Sequence, residues 1–410
     1  MVDVAFIALV TVAIAIGYVL GRRSLKKRDA DSFPLSFDKT YFQGLNFLLN
    51  EQPDKAVDAF VESLDVNTNT LETHLALGKL MRKQGQVDRA IRIHQNLLAR
   101  PQLDIAHQHQ VHLELARDFM AAGLLDRAEM LLKEVIAESS ALRGIAQRYL
   151  LDIFQDEREW SDAIQVAEAL VSSRYIKSAP DKRRSLTQMI SHFYCELAEE
   201  SSHKNDTAMA RKHLDKAMIS DKTSIRAALL IGALENQDGR HKQAVKVLSR
   251  AVAQNPSLMS ECLPELYKAY IAVDPVGGFN QVLSFVESQV AQHPSITALL
   301  FMVDQLLIRA ESEPSRQQQA HDLLSRYLRD RPSLAGLNKV ITLQIPRLSP
   351  DIANDVISLQ SLVQRLLEKR LNYQCTSCGF TGRQLHWRCP SCKSWDQMEH
   401  VKAVKAVEAN

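Results

Sequence analysis

The sequence predicts an all-α protein, built as a superhelical solenoid of stacked helical hairpins, and three observations carry that expectation. Pairs of small residues recur twelve positions apart: Gly44 with Ala56, Gly78 with Ala90, Ala116 with Ala128, and Gly232 with Ala244. The first two pairs repeat after 34 residues. Glycine and proline are scarce, at 14 and 13 in 410 residues, and β-branched runs are few beyond residue 20, so little of the body can be sheet.

A small residue at both points of such a pair lets two helices of a hairpin cross closely. A 34-residue period made this way is the signature of the tetratricopeptide repeat (TPR). A single hairpin cannot bury its apolar face alone, so copies stack and leave a concave surface suited to gripping other proteins. The chain is too long for one compact core. Its 50 Lys and Arg nearly balance 48 Asp and Glu, so no global electrostatic case for nucleic acid exists.

Residues 1–20 read as a transmembrane helix. Val4 to Leu20 is apolar apart from Thr11, Gly17 and Tyr18, and as a helix it spans roughly 26 Å. Arg22, Arg23, Lys26, Lys27 and Arg28 follow at once, on the wrong side for a cleaved signal peptide. The positive-inside rule then places the amino terminus outside and the bulk of the chain on the cytoplasmic side. Residues 21–38 form a basic juxtamembrane tether that holds Pro34.

Residues 39–371 are expected to form the array. Phe47 and Phe60 fill the first unit, Gly85 fits a turn that needs positive φ or a helix C-cap, Gly123 takes the same place in the third unit, and Gly232, Gly239 and Ala244 mark the sixth. The fourth unit turns near Trp160 and sets Ala163 where Ala128 stood, with Leu151 in place of a small residue. Ala198 and Ala210 make the fifth pair. Beyond Pro256 the period lengthens: Asn255-Pro256-Ser257-Leu258, His293-Pro294-Ser295-Ile296 and Arg331-Pro332-Ser333-Leu334 recur at 38-residue steps, each closing one hairpin and opening the next. Gly277-Gly278 marks a turn inside the seventh unit, and a last pair around Leu337–Ile345 and Ile352–Leu371 ends the stack. About eight hairpins result. Phosphate-binding, nucleophile-elbow and H-E-x-x-H motifs do not occur. His107, His109 and His112 do not share a helix face and read as packed or solvated side chains. Lys182-Arg183-Arg184 reads as a solvated helix start, and the isolated Cys195 and Cys262 as small buried residues.

Residues 372–400 carry two C-x-x-C pairs, Cys375 with Cys378 and Cys389 with Cys392, ten residues apart. Two tight loops that each offer two thiolates make a tetrahedral site for one metal ion, iron or zinc, in a reducing compartment. Four thiolates leave no open coordination position, which argues against metal-assisted hydrolysis. Gly379 permits the turn that aims amides at sulfur. Tyr373, Phe380, Trp387 and Trp395 are expected to supply a small core. Arg383, His386, Trp387, Arg388 and Lys393 form a basic and aromatic cluster that could contact nucleic acid or protein. Lys393 stands where a glycine is expected after the last cysteine. Residues 401–410 are a short tail.

An amino-terminal membrane helix, a basic flank, a TPR array, and the motifs Tyr373-x-Cys-x-x-Cys-Gly-Phe and Trp387-x-Cys-Pro-x-Cys-x-x-Trp395 together resemble one family, lipopolysaccharide assembly protein B (LapB, formerly YciM), over essentially the whole chain. The resemblance implies a single-pass protein of the inner membrane, facing the cytoplasm, with a rubredoxin-type knuckle ligated by Cys375, Cys378, Cys389 and Cys392. It implies a non-enzymatic adaptor that restrains lipopolysaccharide synthesis by promoting degradation of the deacetylase LpxC by the membrane protease FtsH. Other synthesis enzymes and a membrane regulator are the further partners it implies, with no nucleic acid and no small-molecule substrate. The rival expectation is a redox protein passing electrons through an iron-loaded knuckle.

Overall fold

The computed structural model describes residues 46–47, 55, 68–99, 103–173, 178–311, 313–368 and 371–401. The apolar segment 1–20, the tether 21–38, the Gly44 and Ala56 pair, Phe60 and nearly all of the tail lie outside the described residues. Among the described residues no helix is long and apolar enough to cross a membrane. The chain divides into two compact units, Met1–Ala146 and Gln147–Asn410.

In the first unit α1 (Thr68–Lys83) and α2 (Val87–Leu98) form one hairpin, and α3 (Ile105–Ala121) and α4 (Leu125–Glu138) the next. Asp104 caps α3, its carboxylate accepting from the His107 amide at 2.8 Å. Gly78 is the reason α1 and α2 approach so closely: a Cβ there would lie 2.4 Å from the His94 ring. Between α1 and α3 the link is ionic. Arg82 donates to Asp118 at 2.6 Å and to Glu114 at 2.8 Å, and the buried Asp118 also pairs with His94. The three histidines of α3 are each engaged locally: His107 with Asp104, His109 with Glu138 and His112 with Glu134.

The second unit continues the pattern with α5 (Arg143–Glu157) and α6 (Trp160–Ser172), α7 (Pro180–His203) and α8 (Thr207–Ser220), then α9 (Ile225–Gln237) and α10 (His241–Gln254). It goes on through α11 (Met259–Val273) and α12 (Gly278–Gln292), α13 (Ile296–Ala310) and α14 (Ser315–Asp330), and α15 (Leu334–Gln344) and α16 (Pro350–Glu368). One register recurs in five hairpins. A residue at positive φ ends the first helix: Gly85, Gly123, Arg158, Asn205 and Gly239. The next amide donates back five residues, as from Gln86 to Met81 at 2.9 Å and from Arg240 to Glu235 at 2.8 Å, satisfying a terminal carbonyl. Five residues beyond the turn stands a fully buried alanine: Ala90, Ala128, Ala163, Ala210 and Ala244, each at 0% exposure. The repeat is thus marked by backbone conformation even where glycine is missing.

The weaker late repeats keep the same logic with other residues. Gly278 opens α12 at a point where a Cβ would lie 2.2 Å from the Tyr270 carbonyl oxygen, so only glycine fits. The Pro-Ser sequences at 256, 294 and 332 fall between successive hairpins, as their spacing predicts. A contiguous core runs from Ile225 to Leu343 through Met259, Leu266, Phe279, Met302 and Leu324. Cys195 and Cys262 are buried within the helices, and burial pushes both thiols up to about 12. Lys182, Arg183 and Arg184 lie exposed in the first turn of α7.

Candidate metal centre

The carboxy-terminal knuckle is a three-stranded antiparallel sheet with order β2-β1-β3: β1 is Tyr373–Cys375, β2 Thr381–Gly382 and β3 Met398–His400. Two loops of matching geometry spring from it. In the first, the Gly379 amide donates to the Cys375 carbonyl at 2.9 Å; in the second, the Lys393 amide donates to the Cys389 carbonyl at the same 2.9 Å. Both residues that close these loops have positive φ, 79° for Gly379 and 60° for Lys393. Lysine adopts here what glycine does in the first loop, at a cost of about 1–2 kcal/mol.

These loops gather four sulfurs. Cys375 and Cys392 stand 3.7 Å apart, as do Cys378 and Cys389, and all four Sγ atoms lie within 4.8 Å of one another. A disulfide needs about 2.05 Å. Metal–sulfur bonds of about 2.3 Å in a tetrahedron put sulfurs roughly 3.8 Å apart. The donor set therefore fits one tetrahedral ion, zinc or iron. The hydroxyl and amide of Ser394 hold the Cys392 thiol low, at about 6, whereas burial lifts Cys375 to about 11. Cys375, Cys389, Tyr373 and Met398 form the knuckle core, with Phe380 and Leu385 against it.

One sequence-based expectation needs correcting. Trp387 and Trp395 do not belong to that core. Trp395 leaves the knuckle and stacks on His192 of α7 (ring centroids 4.7 Å), meets Trp160 and Phe193 edge-on, and donates from Nε1 to the Gln155 side chain at 2.9 Å. Trp387 packs against the core of the later repeats. A 28-residue knuckle finds its missing apolar partners in the array, not within itself. Of the basic and aromatic cluster, Arg388, Lys393 and Arg383 make their contacts with protein, within the chain itself. Arg388 donates to the Gln155 carbonyl and to Asp156, both at 2.9 Å, and Lys393 reaches the other oxygen of Asp156. Arg383 donates to the Glu368 carbonyl at 3.0 Å.

The knuckle therefore docks in the middle of the unit, at two places. Beside α5–α7 the contact is aromatic and ionic, and His192 Nε2 meets Asp396 at 2.7 Å. Burial works against ionisation of Asp156, yet hydrogen bonds from Lys393 and Arg388 outweigh it and keep its carboxyl below the usual range. At α11 the Tyr373 hydroxyl donates to Glu261 at 2.5 Å, and the Ser260 hydroxyl lies 2.8 Å from His400 Nε2. Burial lowers the His400 pKa below the ordinary histidine value. Sequence reasoning missed Gln155, Asp156, His192, Ser260 and Glu261, because single polar residues on helices carry no pattern.

Fold and site define a class: a helical-hairpin repeat protein that carries, docked into its own array, a rubredoxin-type four-cysteine knuckle. Residues 373–400 match the family model described as the rubredoxin metal binding domain of LapB. The chain is 34% identical to lipopolysaccharide assembly protein B of Escherichia coli (strain K12), covering 99% of this chain and 100% of that protein. It is 32% identical to lipopolysaccharide assembly protein B of Haemophilus influenzae, covering 100% of both. The chain belongs to the lipopolysaccharide assembly protein B family. Among solved structures it is similar to the C-terminal part of a TPR repeat-containing protein from Cytophaga hutchinsonii, at 12% identity and a TM-score of 0.36 over 69% of this chain and 98% of that one, too slight a likeness to bear on function.

Proposed function

We propose that this protein is a non-enzymatic adaptor that regulates lipopolysaccharide assembly from the inner membrane. The observation that carries the reading is end-to-end kinship with proteins named lipopolysaccharide assembly protein B, in array and knuckle alike. In this reading residues 1–20 span the bilayer, the array grips a client on the cytoplasmic side, and the knuckle fixes the shape of the grip. The clients are the deacetylase LpxC and the protease FtsH, with other synthesis proteins and a membrane regulator around them. Confinement at the membrane raises the effective concentration of a held substrate beside a membrane protease, without any bond being broken by the adaptor.

Cys375, Cys378, Cys389 and Cys392 would hold one ion, whose contribution is a closed, structural cross-link of the two loops. Deleting residues 1–20 tests the tether: the truncated protein should still capture LpxC from extracts while LpxC abundance in cells escapes control. Normal LpxC turnover with the truncated form would overturn the mechanism. Metal analysis of the purified protein separates the adaptor from the electron-transfer alternative, since stoichiometric zinc leaves no redox couple.

A further inference from the structure

The last helix of a repeat array is ordinarily a cap whose outer face is polar, because nothing stacks on it. Helix α16 breaks that rule. One side, Ala353, Val356, Gln360, Val363 and Leu367, is half-buried on the array. Immediately beside it on the helical wheel, Ile352, Leu359, Leu362 and Leu366 form a second apolar stripe, each residue 54–58% exposed. No described residue covers it. Heptad-like spacing over four turns is that of a helix–helix seam, not of scattered surface leucines.

We propose that this stripe is the contact through which two copies of the chain pair, with their α16 helices antiparallel. Charge selects the occupant. Within α16, Asp355 lies on the stripe toward the first end and Arg365 beside it toward the last, whereas Glu368 falls on the far side of the helical wheel. An antiparallel crossing sets the acidic end of each helix beside the basic end of the other, and a parallel one would set like charges together. An anionic lipid surface would call for a uniformly basic flank, which the acidic first half denies. Four half-exposed side chains offer on the order of 350 Å² of apolar surface per copy. With their polar flanks, a symmetric pair reaches about the 1,000 Å² that a specific interface needs. Pairing here would join two arrays end to end through a two-fold axis.

Sedimentation of the full chain in detergent, at about 1–100 μM, tests this. The wild type should dimerise, and Leu359→Glu with Leu362→Glu should weaken dimerisation at least tenfold, leaving helical content and metal content unchanged. Asp355→Arg and Arg365→Asp should each weaken pairing, and the two together in one chain should restore it. That restoration also separates the stripe from any association through residues 1–20. A wild type monomeric across the range would overturn the proposal, as would a dimer indifferent to the stripe substitutions. Dimers that appear only after removal of residues 402–410 would instead identify the chain's own tail as the occupant. Stripe-dependent binding of the monomer to anionic vesicles would identify a membrane.

Discussion

Trp395 is where docking of the knuckle is expected to be most sensitive. Truncation to alanine removes its stack on His192 and its edge contacts with Trp160 and Phe193, and leaves Gln155 without its indole donor. Aromatic pairs contribute about 0.5–1.5 kcal/mol each beyond area, a neutral hydrogen bond about 1 kcal/mol, and burial of a large side chain up to about 3 kcal/mol. Because Trp395 is only partly buried, the sum is discounted to roughly 3 kcal/mol for Trp395→Ala. Trp395→Phe keeps a ring over His192 and should cost only about 1 kcal/mol. Urea unfolding of the second unit followed by far-UV circular dichroism, with midpoints converted at constant slope, measures both. A double-mutant cycle with His192→Ala isolates the stack, with an expected coupling of about 1 kcal/mol. Strict additivity, or equal losses for Trp395→Phe and Trp395→Ala, would refute the reasoning.

Three further outcomes follow from the same interface. Stripping the metal with a chelator, or replacing Cys375 and Cys392 by serine, should unfold the 373–400 sheet while most helical signal persists. Limited proteolysis should then cut after residue 371, and a resistant knuckle would count against a metal-dependent fold. Acidification should act in two steps. Burial holds the His400 pKa down, so the unfolded form takes up protons first and stability falls as pH drops through about 6.5; His400→Gln should erase that limb. The carboxyl of Asp156 is held below its usual range, so its contribution is complete above about pH 4, is lost only on further acidification, and should vanish in Asp156→Asn. Finally, Lys393→Gly should be about 1 kcal/mol more stable than Lys393→Ala in thermal melts, since both lose the Asp156 pair but only glycine relieves the positive φ.

Local signals in the sequence were sufficient for whatever is built locally. Gly85 and Gly123 announced their turns because left-handed backbone favours glycine, and the alanines five residues on announced the helix crossings. Asn205 adopts the same conformation, which asparagine tolerates better than other side chains, but an isolated asparagine is a weaker mark than glycine; Arg158 adopts it with no such mark in its residue type. The four cysteines were legible for the same reason as the glycines: their spacing is the geometry. Docking was not legible. Asp156 and Arg388 are separated by 232 residues, and Tyr373 and Glu261 by 112, so no window along the chain contains both members of a pair. Trp387 and Trp395 were misassigned because a small metal-bound sheet and a large helical surface both attract tryptophan, and composition alone cannot choose between them.

The long reach of those docking contacts has a consequence for how the protein comes into being. A repeat array can condense hairpin by hairpin as it leaves the ribosome, since its neighbours are near in sequence. Gln155, His192 and Glu261, however, wait for residues 373–400, which are translated after the helices they dock on. A chain that stops before the knuckle, or that fails to acquire its ion, carries the described hairpins yet leaves those positions without their knuckle partners. Arrival of the knuckle is thereby written into the finished shape, and a copy without it differs from a mature one at the very surface where Trp395 would sit.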